Sequence, residues 1–438
     1  MEIKGIKSAL EYPLYDAIFS RRSRRFGLGM EITESALKYK SRINPVPLSE
    51  VEEALLVWAG TGLTGMALAD LPPRTGISWV IHFTGRAWPS SCNAHSTEIF
   101  YSNDSGVHMI KLMELLPTTS EAQMFSDMSG EERVDMVLEL FRRSRVKLSD
   151  TREDLPQGPP GVFDFNAWNV NKPGTTFFLP VTNITVEYIN LLFIYVAPKY
   201  GINIVDEFRG GRSAGMEDLI KKGIIKEEVK MTLTELESRV LSMLVVEHAF
   251  ICQNMNLALQ ALGLGGWTFS GFIPRFFLGG SPQHNKGLGF RYVTPEKSLI
   301  GTPTPIPVGK DGLFEGFCPP YYRDMNEAVE AYVDYKLRAL EKEAPLLPFK
   351  DPDTVVSEVP EPSKDKIQAV KNICTYIYEN YGRFPAFLDP MYMRLAVQAH
   401  HLDIEFYDKY YSSKAYTDMH KNHFSLWHPD IENPFSSP

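Results

Sequence analysis

The longest hydrophobic pattern runs from Thr232 to Gly263, TLTELESRVLSMLVVEHAFICQNMNLALQALG. Its apolar residues cover most faces of a 3.6-residue repeat, which predicts one long, central, buried helix. The pattern stops at GLGG, as helices do at glycine. PVPLSEVEEALLVWAGTG predicts a second helix: Ser49 can cap it, and Glu52 lies three positions on, as in a capping box. EERVDMVLELFRR reads as an amphipathic helix and ITVEYINLLFIYVAPKYG as a further helix. ISWVIHFTG and STEIFYSND have strand composition and end in turn residues. Later, RDMNEAVEAYVDYKLRALEKE predicts a surface helix with alternating charges. APLLPFKDPDTVVSEVPEPSKDK reads as a linker or surface-hugging loop, and residues 364–438 as mainly helical.

Composition narrows the class. The chain has 438 residues, 44% hydrophobic and 23% charged, so it can build a substantial core. Its net charge of -9 argues against general nucleic-acid binding, which needs excess Lys and Arg. No apolar run reaches membrane-spanning length, and the N-terminus lacks an apolar signal core, so a soluble cytoplasmic protein is expected. Cys92, Cys252, Cys318 and Cys374 are too scattered for a disulfide framework or a zinc cage.

Against this acidic background, SRRSRRFG at 20–27 concentrates four arginines. Three readings compete. The arginines could sit at a helix end, favoured by the dipole. They could form a basic localisation or nucleic-acid patch. They could also form an anion site, since the guanidinium fork matches a phosphate. A second RRSR closes the 131–145 helix, so a degenerate internal duplication is one reading and chance another.

Three separated features occur in order: RRSRRFG, GRAWPSSCNAHSTEIFY at 85–101, and AFICQNMNLALQALGLGGWTFSGF at 249–272. Together they resemble the nitroreductase superfamily of FMN-dependent oxidoreductases. The middle segment, with GVH soon after it, is similar to the branch related to azoline-oxidising dehydrogenases. The resemblance implies an α+β fold, with a central mixed sheet flanked by helices around the long helix. It implies an FMN-binding domain over 1–310 with an insertion around 110–230. Residues 311–438 would be a helical C-terminal extension that could serve as a lid.

The resemblance also implies a site. Arg21, Arg22, Ser23 and Arg25 would bind the FMN phosphate, with Arg25 facing the N1–C2 edge of the flavin. Pro89, Ser90 and Ser91 would form the loop beside the ring. Ser270 and Gly271 would present a backbone N–H to N5. Gln253 would add a polar contact from the long helix; it shares that helix with Asn254 and Asn256, whose amides flavin or neighbouring helices could satisfy. Catalysis would be ping-pong, with NAD(P)H a possible electron donor and a small organic molecule as substrate. The site would lie at the interface of a homodimer, or within a pseudo-dimer in one chain. A flavin-sequestering protein, or a metal-dependent activity in the extension, are the alternatives.

Several residues have plainer readings. Cys92 and His95 fit structural roles as well as catalytic ones, and Trp267 fits the core as well as a flavin. Five of ten histidines follow residue 399. His420 and His423 fall one turn apart, with Asp403, Glu405, Asp408 and His428 near in sequence. Such groups can bind zinc or iron. Without a recognised spacing, the expectation is structural histidines and no tightly held metal.

Overall fold

A computed structural model describes residues 4–112, 121, 128, 130–158, 161–280, 286–297, 302–431 and 433–435. The protein is α+β. Its main sheet comprises β1 (Thr97–Asn103), β2 (Gly106–Ile110), β3 (Arg145–Ser149), β4 (Thr176–Asn183), β5 (Gly265–Phe269), β6 (Met391–Tyr392) and β7 (Ala396–His400). The strand order is β5-β7-β4-β1-β2-β3, with β6 also on β4. A mixed sheet was expected, but every pairing in it is antiparallel.

The helices used below are α1 (Lys4–Leu10), α2 (Leu14–Ser20), α3 (Glu50–Thr61), α4 (Gly130–Ser144), α5 (Ile184–Tyr195), α6 (Leu233–Leu262), α7 (Met325–Glu343), α8 (Lys364–Tyr381), α9 (Ile404–Tyr410), α10 (Asp418–Lys421) and α11 (His423–Trp427). Local chemistry sets their ends. Ser49 and Glu52 form the capping box of α3, and Thr232 and Glu235 that of α6. Gly263 ends α6 at φ 72°, and a Cβ there would lie 2.4 Å from the Met419 carbonyl oxygen, so only glycine fits. The 77–85 segment is not the predicted strand. It opens with a 3-10 turn at Ile77–Trp79, and only Thr84–Arg86 forms a strand.

β1 and β4 are buried along their whole length, because both faces of the sheet are covered. Alternate residues serve different cores. Ile99, Tyr101, Phe178, Val397 and Ala399 pack with α3 and the C-terminal half of α6 through Ile251, Met255 and Leu259. Phe100, Phe177, Leu179 and Ala396 face the other way, towards Trp267, Phe269 and Phe277. A third core joins α5, the N-terminal half of α6, α7 and α8.

The segment expected as a helical extension is part of this framework. β7 lies between β5 and β4, in the interior of the sheet. The 310/311 boundary falls within a hairpin of Ile306–Lys310 with Phe314–Glu315.

Candidate functional site

The arginine turn leaves α2 as extended chain. Arg24 exchanges two backbone hydrogen bonds with Gly266 of β5, at 3.2 and 2.9 Å. On the other side, Leu28 N–H donates to His401 O and Asp403 N–H to Phe26 O. Gly27 is required between them, since a Cβ would lie 2.4 Å from the His400 ring and 2.9 Å from His401 O.

Extended chain sends successive side chains to opposite sides. Arg24 points inward and is buried. It donates to Gln260 Oε1 (2.6 Å), Ala415 O (2.8 Å) and Ser20 O (3.2 Å), which pins the turn to the end of α6. Burial pushes its guanidinium down to about 10. Arg22, Ser23 and Arg25 line a groove of about 430 Å³ with Ile32, Leu37, Trp168, Phe406, Tyr407, Tyr411 and Lys414. Phe26 stacks on Phe406 at 4.1 Å along its floor. Arg25 lies 4.0 Å over the Trp267 ring, beside Asn166 Oδ1 at 3.5 Å. Burial lowers its affinity for the proton as well.

The charges of this turn and groove are unbalanced; Arg21 belongs to the turn but does not line the groove. Among the described residues, none of Arg21, Arg22, Arg24, Arg25 and Lys414 is in an ion pair, and no carboxylate lines the groove. The second RRSR is different: Arg142 and Arg145 both pair with Glu50, at 2.6 and 2.9 Å, and Arg143 with Glu121. Two similar motifs therefore have opposite electrostatics, and only the first offers free positive charge to an anion.

The other expected residues separate into groups. Gly271 adjoins Asn166, whose Nδ2 would be 2.8 Å from a Cβ there, so Ser270–Gly271 and Arg25 reach one neighbourhood. The stacked rings of Phe163 and Phe165 border it and are exposed. Gln253 is exposed on α6, while Asn254 donates to Ala87 O and Asn256 to Cys252 O. Those two amides are thus satisfied within the protein.

Pro89, Ser90 and Ser91 lie elsewhere. Ser90 Oγ donates to Glu247 Oε1 (2.5 Å) and accepts from His95 N–H (3.0 Å). Glu247 also accepts from Thr97, which contacts Thr182, which contacts His248 Nε2 at 2.6 Å. Burial raises the Glu247 carboxyl to about 7, against the opposing hydrogen bonds. Glu247 and Gln260 are about 20 Å apart along α6, at 1.5 Å per residue. Within one chain, the Ser90 loop and the arginine turn do not meet.

Cys92 is half-buried, and burial with the Glu187 charge raises its thiol, so it is no poised nucleophile. The histidine-rich segment is also redistributed. His420 binds Thr417 Oγ1 through Nδ1 at 2.8 Å. His423 and His428 instead converge with His401 on Glu52, the capping-box partner of Ser49 in α3.

Sequence reasoning missed Trp168, Tyr407 and Lys414 along the groove, Arg24 beneath it, Asn166 beside Arg25, and the Glu52–His401 pairing. Only the adjacent histidines His400–His401 gave a visible signal.

No protein-family model matches this chain, and no curated protein matches it. A solved structure from Ralstonia eutropha JMP134, provisionally described as a nitroreductase, is similar over 60% of this chain and 71% of its own. The identity is 11% and the TM-score 0.28, so the likeness bears on neither cofactor nor activity. Among the described residues, no helix is long and apolar enough to cross a membrane.

Proposed function

We propose that the protein is an FMN-dependent oxidoreductase of the nitroreductase type. The observation that carries this reading is the arginine turn: free cations line an aromatic-walled groove in an acidic protein. A flavin mononucleotide has the matching parts, a doubly charged phosphate and a flat ring. The residues fit the phosphate end. Arg22, Ser23 and Lys414 would hold it through charge-assisted hydrogen bonds, with Arg24 fixing the turn beneath. Arg25, one side chain further along the groove, would face the carbonyl edge of the ring, where a fixed cation favours the reduced anion. Ser270–Gly271 would supply the backbone donor towards N5. Bound FMN supplies a hydride acceptor, so NAD(P)H can reduce it and a small organic substrate can take the electrons in a ping-pong cycle.

The Pro89–Ser91 wall would come from a second copy of the chain, since its own loop is about 20 Å away along α6. The exposed Phe163–Phe165 pair beside Gly271 offers an apolar contact for that homodimer. The purified protein is expected to be yellow and to release FMN, not FAD, on heating, as read by mass spectrometry. A colourless preparation that takes up no added FMN would refute the reading.

A further inference from the structure

Away from the groove, three chain segments bring four ligand atoms together: Glu52 Oε1 from α3, His401 Nε2 after β7, and the Nε2 atoms of His423 and His428 at α11. All four lie within 4.8 Å of one another. His428 Nε2 is 3.0 Å from His401 Nε2 and 3.2 Å from Glu52 Oε1. Glu52 Oε1 is 3.0 Å from His423 Nε2 and 3.5 Å from His401 Nε2. A tetrahedral zinc with bonds of about 2.0–2.1 Å would set its ligand atoms about 3.3 Å apart. Four of the six edges therefore already match a tetrahedron.

The hydrogen bonds around the cluster say which atoms are bare. His401 Nδ1 contacts Val46 O at 2.8 Å, and His423 Nδ1 contacts Leu262 O at 2.9 Å. A carbonyl accepts only, so each Nδ1 carries the proton, and in the neutral ring each Nε2 presents a lone pair. Glu52 Oε2 is engaged by Ser49 N–H and Oγ, which turns Oε1 to the imidazoles. Two lone pairs thus face a carboxylate oxygen inside the protein. His423 is 2% exposed, and its Nε2 makes no hydrogen bond of acceptable geometry despite the short distance. Such contacts repel unless a proton or a metal cation sits between them, and at His423 the geometry is not that of a hydrogen bond. An imidazole whose Nδ1–H is held by a backbone carbonyl is also how proteins orient metal-binding histidines.

We infer that Glu52, His401, His423 and His428 form a closed, four-coordinate site for a divalent transition metal, zinc first. Three imidazoles and one carboxylate suit zinc rather than calcium or magnesium, which prefer all-oxygen shells. With four protein ligands and no open position, the site is structural. It fastens the C-terminal helix to α3 and to the end of β7. The inference does not depend on the FMN reading, because no cluster residue lines the groove.

The test uses the full chain, freed of any affinity tag and passed over a chelating resin. Elemental analysis should find about one zinc per chain, and native mass spectrometry the same adduct. Strong chelation should lower the thermal midpoint, and zinc but not magnesium should restore it. Glu52→Gln keeps a capping-box side chain at its position, and His428→Ala alters the most exposed ligand; both should fold and lose the metal. A wild-type protein free of metal and unchanged in midpoint by added zinc would overturn the inference. Zinc retained in full by both variants would overturn it as well.

Discussion

Arg24 and Arg25 are neighbours with opposite tasks, because extended backbone turns one to the interior and the other to the groove. Removing Arg24 would leave Gln260 Oε1 and two carbonyls without their donor. Arg24→Ala should therefore destabilise the fold by about 1–3 kcal/mol, measured by urea unfolding. Arg25→Ala removes only a long hydrogen bond to Asn166 Oδ1, at 3.5 Å, and the stacking on Trp267, worth about 0.5–1 kcal/mol. It should keep near-native stability and weaken FMN binding by about 1.5–3 kcal/mol, measured by fluorescence titration. A shared phenotype, with both variants unstable and equally able to bind, would return the cluster to a helix-end role. The sequence could place four arginines together. It could not say which pointed inward, because that depends on the phase of the extended segment against Gly266.

Helices were legible where their signals were local. The Ser49–Glu52 and Thr232–Glu235 boxes mark their own starts, and Gly263 its own stop. What the elements bury against each other was not legible, and two carboxyls show it. Glu187 of α5 is held up at about 8, mainly by burial and further by the Glu247 charge; Glu247 of α6 is held at about 7 by burial. Both lie above the ordinary 4.5 of an unfolded chain, so folding favours their protonated forms. Their contribution is complete below about pH 4.5 and is lost as pH rises through 7 and 8. His82 and His248, pushed down to about 3 by burial, work oppositely, but only below their ordinary 6.5. The thermal midpoint should thus fall between about pH 6.5 and pH 8, with each raised carboxyl contributing about 1.4 kcal/mol per pH unit within its window. Glu187→Gln should flatten that decline and be at least as stable as the wild type at pH 8. A midpoint that rises across this window would contradict the assignment.

At the scale of the whole molecule, the C-terminal segment is woven in rather than added on. A lid was the natural expectation from sequence, because the Pro-rich 344–366 stretch resembles a linker and no local pattern announces which distant strand β7 will join. Pairing across most of the chain is decided by the packed sheet, where β7 bonds to β5 along five residues and to β4 along three. Two truncations separate these roles. Ending the chain at residue 363 removes α8, β6 and β7, leaving β5 and β4 without their shared neighbour and opening both faces of the core. That fragment should be insoluble or lack a cooperative melt, since exposed strand edges invite aggregation. Ending it after Tyr411 keeps the sheet and α9 but removes Lys414, His423 and His428. It also uncovers Gly5, against which Trp427 packs, and the end of α6 against Met419. This longer fragment should retain near-native far-ultraviolet circular dichroism, melt at a lower temperature, hold no zinc and bind FMN more weakly. If the 1–363 fragment instead melted cooperatively and bound FMN like the full chain, the C-terminal segment would be a detachable lid after all, and the interior position of β7 would carry no stability.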